Sequence, residues 1–236
     1  MIKHKLKSIL SLALLLSVTA CGNSHTTQQA DNVSKQTSSG SADAAVPTKT
    51  VLVFGDSLTA GYGLDDPEDD AYPSVLQDKI KDAKLPYTVI NAGNSGETSA
   101  GGRNRIDWVL RQKVDVFVLE LGANDGLRGV PVTETRRNLQ AIIDRVKAKY
   151  PDAKLVLCGM QIPPSMGKAY TADFKALFPE LAKKNNMTLV PFLLDHVGGI
   201  PKLNQADGIH PTKEGAKIVA DNVWAVLQDV LENSKG

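Results

Sequence analysis

The sequence is poor in cysteine and histidine, and neither sign of charge dominates it. Its 236 residues include two cysteines and four histidines, and the formal net charge is +1 at pH 7. This balance argues against a nucleic-acid partner, because domains that bind nucleic acids carry a basic excess. No group of His, Cys and Asp residues has the spacing of metal ligands, so neither a metal nor another cofactor is expected.

Residues 1–20 have the pattern of a secretory signal. Three lysines precede an apolar stretch from Ile9 to Val18, which is too short to span a membrane comfortably, and the small residues Thr19 and Ala20 follow it. Cys21 comes next, and this order resembles a bacterial lipoprotein signal, in which the cysteine becomes the lipidated first residue. We therefore expect an exported lipoprotein, anchored in a membrane through Cys21 and facing the periplasm or the cell exterior. The alternative is a plain signal peptide with an incidental cysteine.

The rest of the chain divides into a tether and one domain. Residues 21–48 are mostly Ser, Thr, Gln, Asn, Asp and Ala with almost nothing apolar to bury, which is typical of a flexible segment. Residues 49–236 have the length of a single globular domain, which we expect to be monomeric. Residues 1–20 hold three lysines and no acid, so their removal lowers the net charge from +1 to −2. Cys158 is then the only cysteine of the domain, which excludes an internal disulfide.

Five short apolar runs predict the strands of a parallel sheet. They are aliphatic or β-branched without polar alternation, as in strands that are covered on both faces. The runs are Thr50–Phe54, Tyr87–Asn91, Asp115–Leu121, Lys154–Met160 and Thr188–Phe192. Between and after them lie segments of helical periodicity, such as Leu139 to Val146 behind a candidate cap at Thr133, and Ala216 to Val230. This alternation predicts an α/β fold with helices on both faces of the sheet.

Glycines and small polar residues follow the first three predicted strands. Gly-Asp-Ser stands at 55–57, Gly-Asn-Ser-Gly at 93–96 and Gly-Ala-Asn-Asp at 122–125. Ligands of such folds bind beyond the carboxyl ends of the strands, so we expect these segments to converge on one rim. The acidic segment Asp65–Asp70 lacks the spacing of a calcium loop and is interpreted as a solvated loop.

Ser57 is the hydroxyl best placed on this rim to act as a nucleophile, although a helix cap is its structural alternative. A serine nucleophile needs a base and an acid that orients the base. Two of the four histidines lie in the signal and the tether, which leaves His196 and His210. Asp207 stands three residues before His210 in a predicted tight turn, from which its carboxylate can fold back onto the imidazole. His196 follows an aspartate directly, and adjacent side chains tend to diverge, so His210 is the predicted base.

Three groups are candidates for binding the oxyanion. They are the backbone N–H groups of Ser57 and Gly96 and the side-chain amide of Asn124. Asn124 also has a simpler interpretation as a turn residue between glycines.

Together these segments resemble the four sequence blocks of the SGNH (GDSL) hydrolase family, in order and in spacing. The likeness covers essentially the whole domain and is greatest to the branch of bacterial thioesterase I, lysophospholipase L1 and secreted arylesterases. Ala123 departs from a glycine that is often found before the asparagine. The blocks are Gly55-Asp56-Ser57-Leu58, Gly96 within residues 94–98, Gly122-Ala123-Asn124-Asp125 and Asp207-Gly208-Ile209-His210.

The resemblance implies a flavodoxin-like, three-layer α/β/α fold with a central five-stranded parallel sheet. It also implies a triad of Ser57, Asp207 and His210 and an oxyanion hole of Ser57, Gly96 and Asn124. The implied activity is that of a serine esterase, which hydrolyses carboxylic esters or thioesters of small aryl, acyl or lysophospholipid type through an acyl-enzyme. Residues 159–172 and 193–205 are expected to shape its acyl specificity.

Two other functions stay open. One is a carbohydrate O-deacetylase of the same fold, and the other is a catalytically inert, lipid-tethered binding module.

Overall fold

The computed structural model describes residues 48–233. The predicted signal, Cys21 and the segment up to residue 47 lie outside the described residues. Within residues 48–233, no helix has both the length and the hydropathy that a membrane span requires.

Five parallel strands form one sheet in the order β2-β1-β3-β4-β5. They are β1 (Lys49–Gly55), β2 (Tyr87–Gly93), β3 (Val116–Glu120), β4 (Lys154–Cys158) and β5 (Thr188–Val190). This is the strand order of flavodoxin-like folds, so the predicted fold class and the predicted five-stranded parallel sheet are confirmed.

The register of the sheet brings the ends of its first three strands to one level. Gly55 at the end of β1 pairs with Gly93 of β2 on one side and with Glu120 of β3 on the other. Val51 to Phe54 of β1 and all of β3 are buried, which explains their unbroken apolar runs. The polar segments that follow these strands therefore begin at the same edge of the sheet.

The strands β4 and β5 end two residues before the apolar runs that predicted them. Met160 and Phe192, the last residues of those runs, line a cavity beyond the sheet. Apolar side chains that form a cavity wall continue the pattern of a buried strand, so the sequence pattern could not show where the sheet stops.

Eight helices are assigned within residues 48–233, and they pack in two layers with the sheet between them. The helix α3 packs against α8, whereas α6 packs against both α4 and α7. The helices are α1 (Ser57–Ala60), α2 (Pro67–Asp70), α3 (Tyr72–Asp82), α4 (Ser99–Val109), α5 (Ala123–Leu127), α6 (Val132–Lys149), α7 (Lys168–Asn185) and α8 (Lys213–Glu232).

The predicted buried faces of the long helices α6 and α8 are present. Leu139 and Val146 of α6 are fully buried, and so is Val223 of α8. The predicted cap of α6 is wrong: Pro131 occupies the N-cap position, and Thr133 lies inside the first turn. The Pro131 carbonyl already accepts the N–H of Glu134, so the helix starts before the threonine.

The acidic segment between α1 and α3 forms part of the folded domain. Asp66 caps α2 by accepting the backbone N–H of Asp69 at 3.4 Å. Asp70 makes a 2.8 Å ion pair with Lys213 at the start of α8. Among residues 48–233, no group of three or more His, Cys, Asp or Glu side chains is arranged to hold a metal ion.

Candidate active site

Ser57 is the first residue of the one-turn helix α1, directly after β1. Asp56 caps this helix, and its Oδ1 accepts the backbone N–H of Leu58 at 3.0 Å. Gly61 ends the helix in the left-handed region with φ +73°, which favours glycine. The serine hydroxyl is thus held at the edge of the sheet by a short turn with both ends fixed.

Ser57, His210 and Asp207 form a continuous chain of hydrogen bonds. The Oγ of Ser57 lies 2.9 Å from Nε2 of His210, and Oδ2 of Asp207 lies 2.6 Å from Nδ1 of the same imidazole. The other carboxylate oxygen of Asp207 accepts the backbone N–H groups of Ile209 and His210. The turn predicted from Asp207 to His210 therefore bends the carboxylate back onto the ring.

His196, the other candidate base in the domain, lies apart from this chain. Its side chain is 82% exposed, and within residues 48–233 it forms an ion pair only with the neighbouring Asp195, at 3.7 Å. Its backbone has φ +59°, in the left-handed region.

Hydrogen bonds keep the Asp207 carboxylate ionised. Partial burial acts to raise its pKa, but the bonds from the His210 ring and from two backbone N–H groups outweigh burial and lower the pKa to about 2. Asp207 is therefore an anion throughout the neutral range, as the partner of a histidine base must be.

Tyr62 and Gln205 support the histidine from the side, and the sequence motifs did not single them out. The Tyr62 ring centre lies 4.7 Å from that of His210. Gln205 donates from Nε2 to the carbonyl oxygens of Tyr62 and Pro211, and its backbone N–H donates to the His210 carbonyl at 2.7 Å. These bonds join the loop after α1 to the loop that carries His210.

The candidate oxyanion groups are linked by two charged side chains. Nδ2 of Asn124 donates to Oδ2 of Asp56 at 3.0 Å, which leaves the second N–H of the same amide. The guanidinium of Arg128 donates to the Gly96 carbonyl at 3.1 Å and to Oδ1 of Asn124 at 3.3 Å. Gly96 has φ +78°, so its peptide takes an orientation that favours glycine.

An ion pair beneath the rim ties β1 to β2. Nε of Arg105 lies 2.7 Å from both carboxylate oxygens of Glu97, whose side chain is buried. The same guanidinium donates to the carbonyl oxygens of Gly55 and Ala92. The strand ends that carry Ser57 and Gly96 are therefore fixed to one cation.

Glu120, the last residue of β3, lies behind Ser57 and is fully buried. Its Oε2 accepts the backbone N–H of Asp56 at 3.1 Å and the hydroxyl of Thr59 at 2.8 Å. Burial raises the pKa of Asp56 to about 6 and holds the pKa of Glu120 well above its usual range. The only signal of Glu120 in the sequence is an acid inside the apolar stretch from Val116 to Leu121.

A cavity of about 490 Å³ opens beside Ser57, Asn124 and His210. Residues from both of the loops expected to shape acyl specificity, 159–172 and 193–205, contribute to its lining. Most of its walls are apolar, with Leu127, Met160, Ile162, Phe192, Leu194 and Ile209 among the lining residues.

Comparison with known proteins places these features in a family. The model of the GDSL-like Lipase/Acylhydrolase family matches residues 53–218, which include every candidate catalytic residue. The chain belongs to this family. It is a serine ester hydrolase of the SGNH type, so the predicted family and enzyme class are confirmed.

Individual relatives agree with this placement. Esterase TesA of Pseudomonas aeruginosa is 39% identical over 184 residues, which are 78% of this chain and 90% of that protein. Thioesterase 1/protease 1/lysophospholipase L1 of Escherichia coli (strain K12) is 36% identical over 190 residues, 80% of this chain and 88% of that protein. The crystal structure of TesA superposes with a TM-score of 0.73 and 38% identity, over 78% of this chain and 100% of that chain.

The bond between Asp56 and Asn124 yields a testable prediction. In Asp56→Asn, an amide with a single accepting oxygen replaces a carboxylate that accepts from both the Leu58 N–H and the Asn124 amide. The Asn124 amide is then less well oriented, so we expect kcat to fall by about 10- to 100-fold at pH 8. Steady-state kinetics with a nitrophenyl ester measure the loss.

The same substitution should raise the free energy of unfolding at neutral pH, although it lowers kcat. Folding raises the Asp56 pKa from 3.8 to about 6, so this group's stabilisation is present below pH 3.8 and lost as pH rises through about 6. Asp56→Asn should remove that fall, which denaturant unfolding between pH 4 and about 8 measures. An unchanged kcat would contradict the role given to the Asp56–Asn124 bond. An unchanged dependence of the unfolding free energy on pH would contradict the raised pKa of Asp56.

Proposed function

We propose that Ser57 is the nucleophile of an esterase, that His210 is its general base and that Asp207 orients His210. The observation that supports this is the hydrogen-bond chain from Asp207 through His210 to Ser57, which ends at an apolar cavity. The backbone N–H groups of Ser57 and Gly96 and the amide of Asn124 are proposed to bind the oxyanion.

The reaction follows from these positions in two halves. Nε2 of His210 takes the proton of the Ser57 hydroxyl while Oγ attacks the acyl carbon, and the carbonyl oxygen becomes an oxyanion. When the tetrahedral intermediate collapses, the imidazolium gives its proton to the departing alcohol or thiol, and the acyl group stays on Ser57. Water then repeats the sequence with His210 as base, which releases a carboxylic acid and restores the serine hydroxyl.

The cavity supports an acyl substrate over an acetylated sugar. Its lining is mainly apolar, and burial of a chain of methylenes in such walls is favourable, whereas sugar hydroxyls need polar partners. The name of one relative, a thioesterase/lysophospholipase, agrees with this choice. We propose esters or thioesters of small aryl, acyl or lysophospholipid type as substrates and a monomer without a cofactor as the active form.

Substitutions at the histidines distinguish the proposed base from the other candidate. Ser57→Ala and His210→Ala should each remove nearly all esterase activity, because members of a triad act as a unit. His196→Ala is the matched control and should keep most of it, since that side chain is exposed and apart from the chain of hydrogen bonds. Nitrophenyl ester hydrolysis and labelling by a fluorophosphonate, lost in Ser57→Ala, are the measurements. A His196 variant as inactive as the His210 variant would refute the assignment.

Chain length distinguishes the acyl esterase from the sugar deacetylase. With nitrophenyl esters from acetyl to palmitoyl, kcat/KM should first rise with each added methylene, by at most about fourfold per methylene, since burial of one contributes about 0.8 kcal/mol. The rise should stop when the cavity is full. A maximum at acetyl, together with higher activity on acetylated glycans, would instead favour the deacetylase.

We further propose that the mature protein begins at a lipidated Cys21 and faces the periplasm or the cell exterior. The lysines and the apolar stretch before residue 19 support export, and the small residues before Cys21 support lipoprotein processing. Acyl chains contribute about 0.8 kcal/mol per buried methylene, so more than one chain gives stable anchoring. Residues 22–48 would then link the membrane to the domain, within reach of lipid esters.

Fractionation of cells tests the anchor. The wild-type protein should be found in the membrane fraction, and Cys21→Ser should release it, because the thiol is the site of acylation. Cys158→Ser is the control, since that thiol is buried in the domain and should not affect fractionation. A soluble wild-type protein, or a Cys21→Ser protein that stays in the membrane, is the contrary result.

A further inference from the structure

The fully buried carboxyl group of Glu120 takes no direct part in the proposed reaction, yet it bonds to residues on both sides of Ser57. Its Oε2 accepts the N–H of Asp56 and the hydroxyl of Thr59, which flank Ser57 in the chain at one and two residues. A β-carbon on Gly55 would lie only 2.3 Å from this oxygen and 2.0 Å from the Thr59 hydroxyl. The glycine of the Gly-Asp-Ser segment therefore makes room for Glu120 directly beneath the turn.

The two oxygens of Glu120 differ in their hydrogen bonds. Oε2 accepts two hydrogen bonds, as a carbonyl oxygen does, whereas Oε1 is buried and finds no partner among residues 48–233. A buried anionic oxygen without a donor is costly, and no cation forms an ion pair with Glu120 in the described part of the chain. Protonation of the Glu120 carboxyl group removes the cost of burying a charge there.

Asp56, by contrast, is built to carry charge. Each of its oxygens accepts a bond, Oδ1 from the Leu58 N–H and Oδ2 from the Asn124 amide. Two carboxyl groups this close do not both ionise readily, and the one with donors on both oxygens is the better anion. Burial and the neighbouring Asp56 charge both raise the pKa of Glu120, which agrees with this division.

The other groups around the pair do not supply a countercharge to Glu120. Tyr72 of α3 hydrogen-bonds the Thr59 hydroxyl at 2.9 Å, and burial raises the pKa of this phenol and of the Cys158 thiol on β4. Arg105 of α4 is paired with Glu97. His210 acts electrostatically on Asp56, and its ring is bonded to Asp207 and Ser57.

We propose that Glu120 is a positioning residue for the esterase reaction: as a neutral acid, it holds the Asp56 peptide and the Thr59 hydroxyl and lets Asp56 be the anion that orients Asn124. The proposal rests on the proposed function of Ser57 and Asn124. Glu120 acts through the nucleophile turn and the oxyanion amide and does not contact the substrate.

Conservative and apolar substitutions test the two parts of the proposal. Glu120→Gln keeps the accepting oxygen and replaces the O–H with an N–H₂, so it should retain most of the wild-type kcat and an unchanged pH–rate profile. Glu120→Leu removes the accepting oxygen, and Glu120→Asp moves it away from its donors because the side chain is one methylene shorter. Both variants should lower kcat by about 10- to 100-fold at a nearly constant KM. Wild-type kcat in both of these variants would overturn the positioning role. If Glu120→Gln lowers kcat as much as Glu120→Leu and Glu120→Asp do, the proposal that the Glu120 carboxyl group is neutral fails.

A control variant separates positioning from stability. Asn185→Ala removes hydrogen bonds to Gln140 of α6 and to Leu181 of its own helix α7, so it should lower Tm while kcat stays at the wild-type value. If Asn185→Ala lowers kcat as much as Glu120→Leu does, loss of stability explains both, and the proposal fails.

Infrared difference spectra of wild type and Glu120→Gln test the proton directly, even where the leucine variant does not fold. The wild-type protein at pH 7 should show the C=O stretch of a protonated carboxylic acid that Glu120→Gln lacks. Its absence would overturn the neutral state. Ser57→Ala tests the proposed function separately: an active Ser57→Ala enzyme would refute the site assignment, whereas the infrared band reports on Glu120 alone.

Discussion

Parallel pairing of β1 with both β2 and β3 is the constraint on which the rest of the site depends. Because Gly55, Gly93 and Glu120 stand at one level in the sheet, the chain leaves three adjacent strands at the same edge. The Ser57 turn, the Gly96 loop and the Asn124 helix then start within reach of one another. A shift of one residue between these strands would separate the candidate donors from the serine and reverse the facing of every side chain in the shifted strand.

Buried charge holds this edge in place. Arg105 donates to the carbonyl oxygens of Gly55 and Ala92 while it is paired with Glu97. Glu97 neutralises its charge, and the two carbonyl bonds hold the ends of β1 and β2 together. Asp56, directly after β1, lies among backbone and amide donors. Such groups are costly to bury unless each polar atom has a partner, and their bonds define one arrangement of the rim.

The histidine reaches this edge from the far end of the chain. Its bond to Ser57 joins residues 153 positions apart, and the bond from Gln205 to Tyr62 joins residues 143 positions apart. The His210 loop leads directly into α8, which packs against α3. Activity in this enzyme therefore requires the complete tertiary fold. The apolar cavity also depends on tertiary packing, because the loops after β4 and β5 form part of its walls.

The sequence by itself determined the strands, the fold class and the family, because buried parallel strands need unbroken apolar runs and the four sequence blocks keep their order and spacing. It also singled out Ser57, Asp207, His210, Gly96 and Asn124 as candidates, since turn chemistry at the ends of strands is local. The tertiary structure alone decided what surrounds them. Glu120 lay within a predicted strand, and the sequence motifs did not single out Tyr62 and Gln205, because their partners lie on other loops. Contacts between distant segments follow from packing, which a local pattern does not encode.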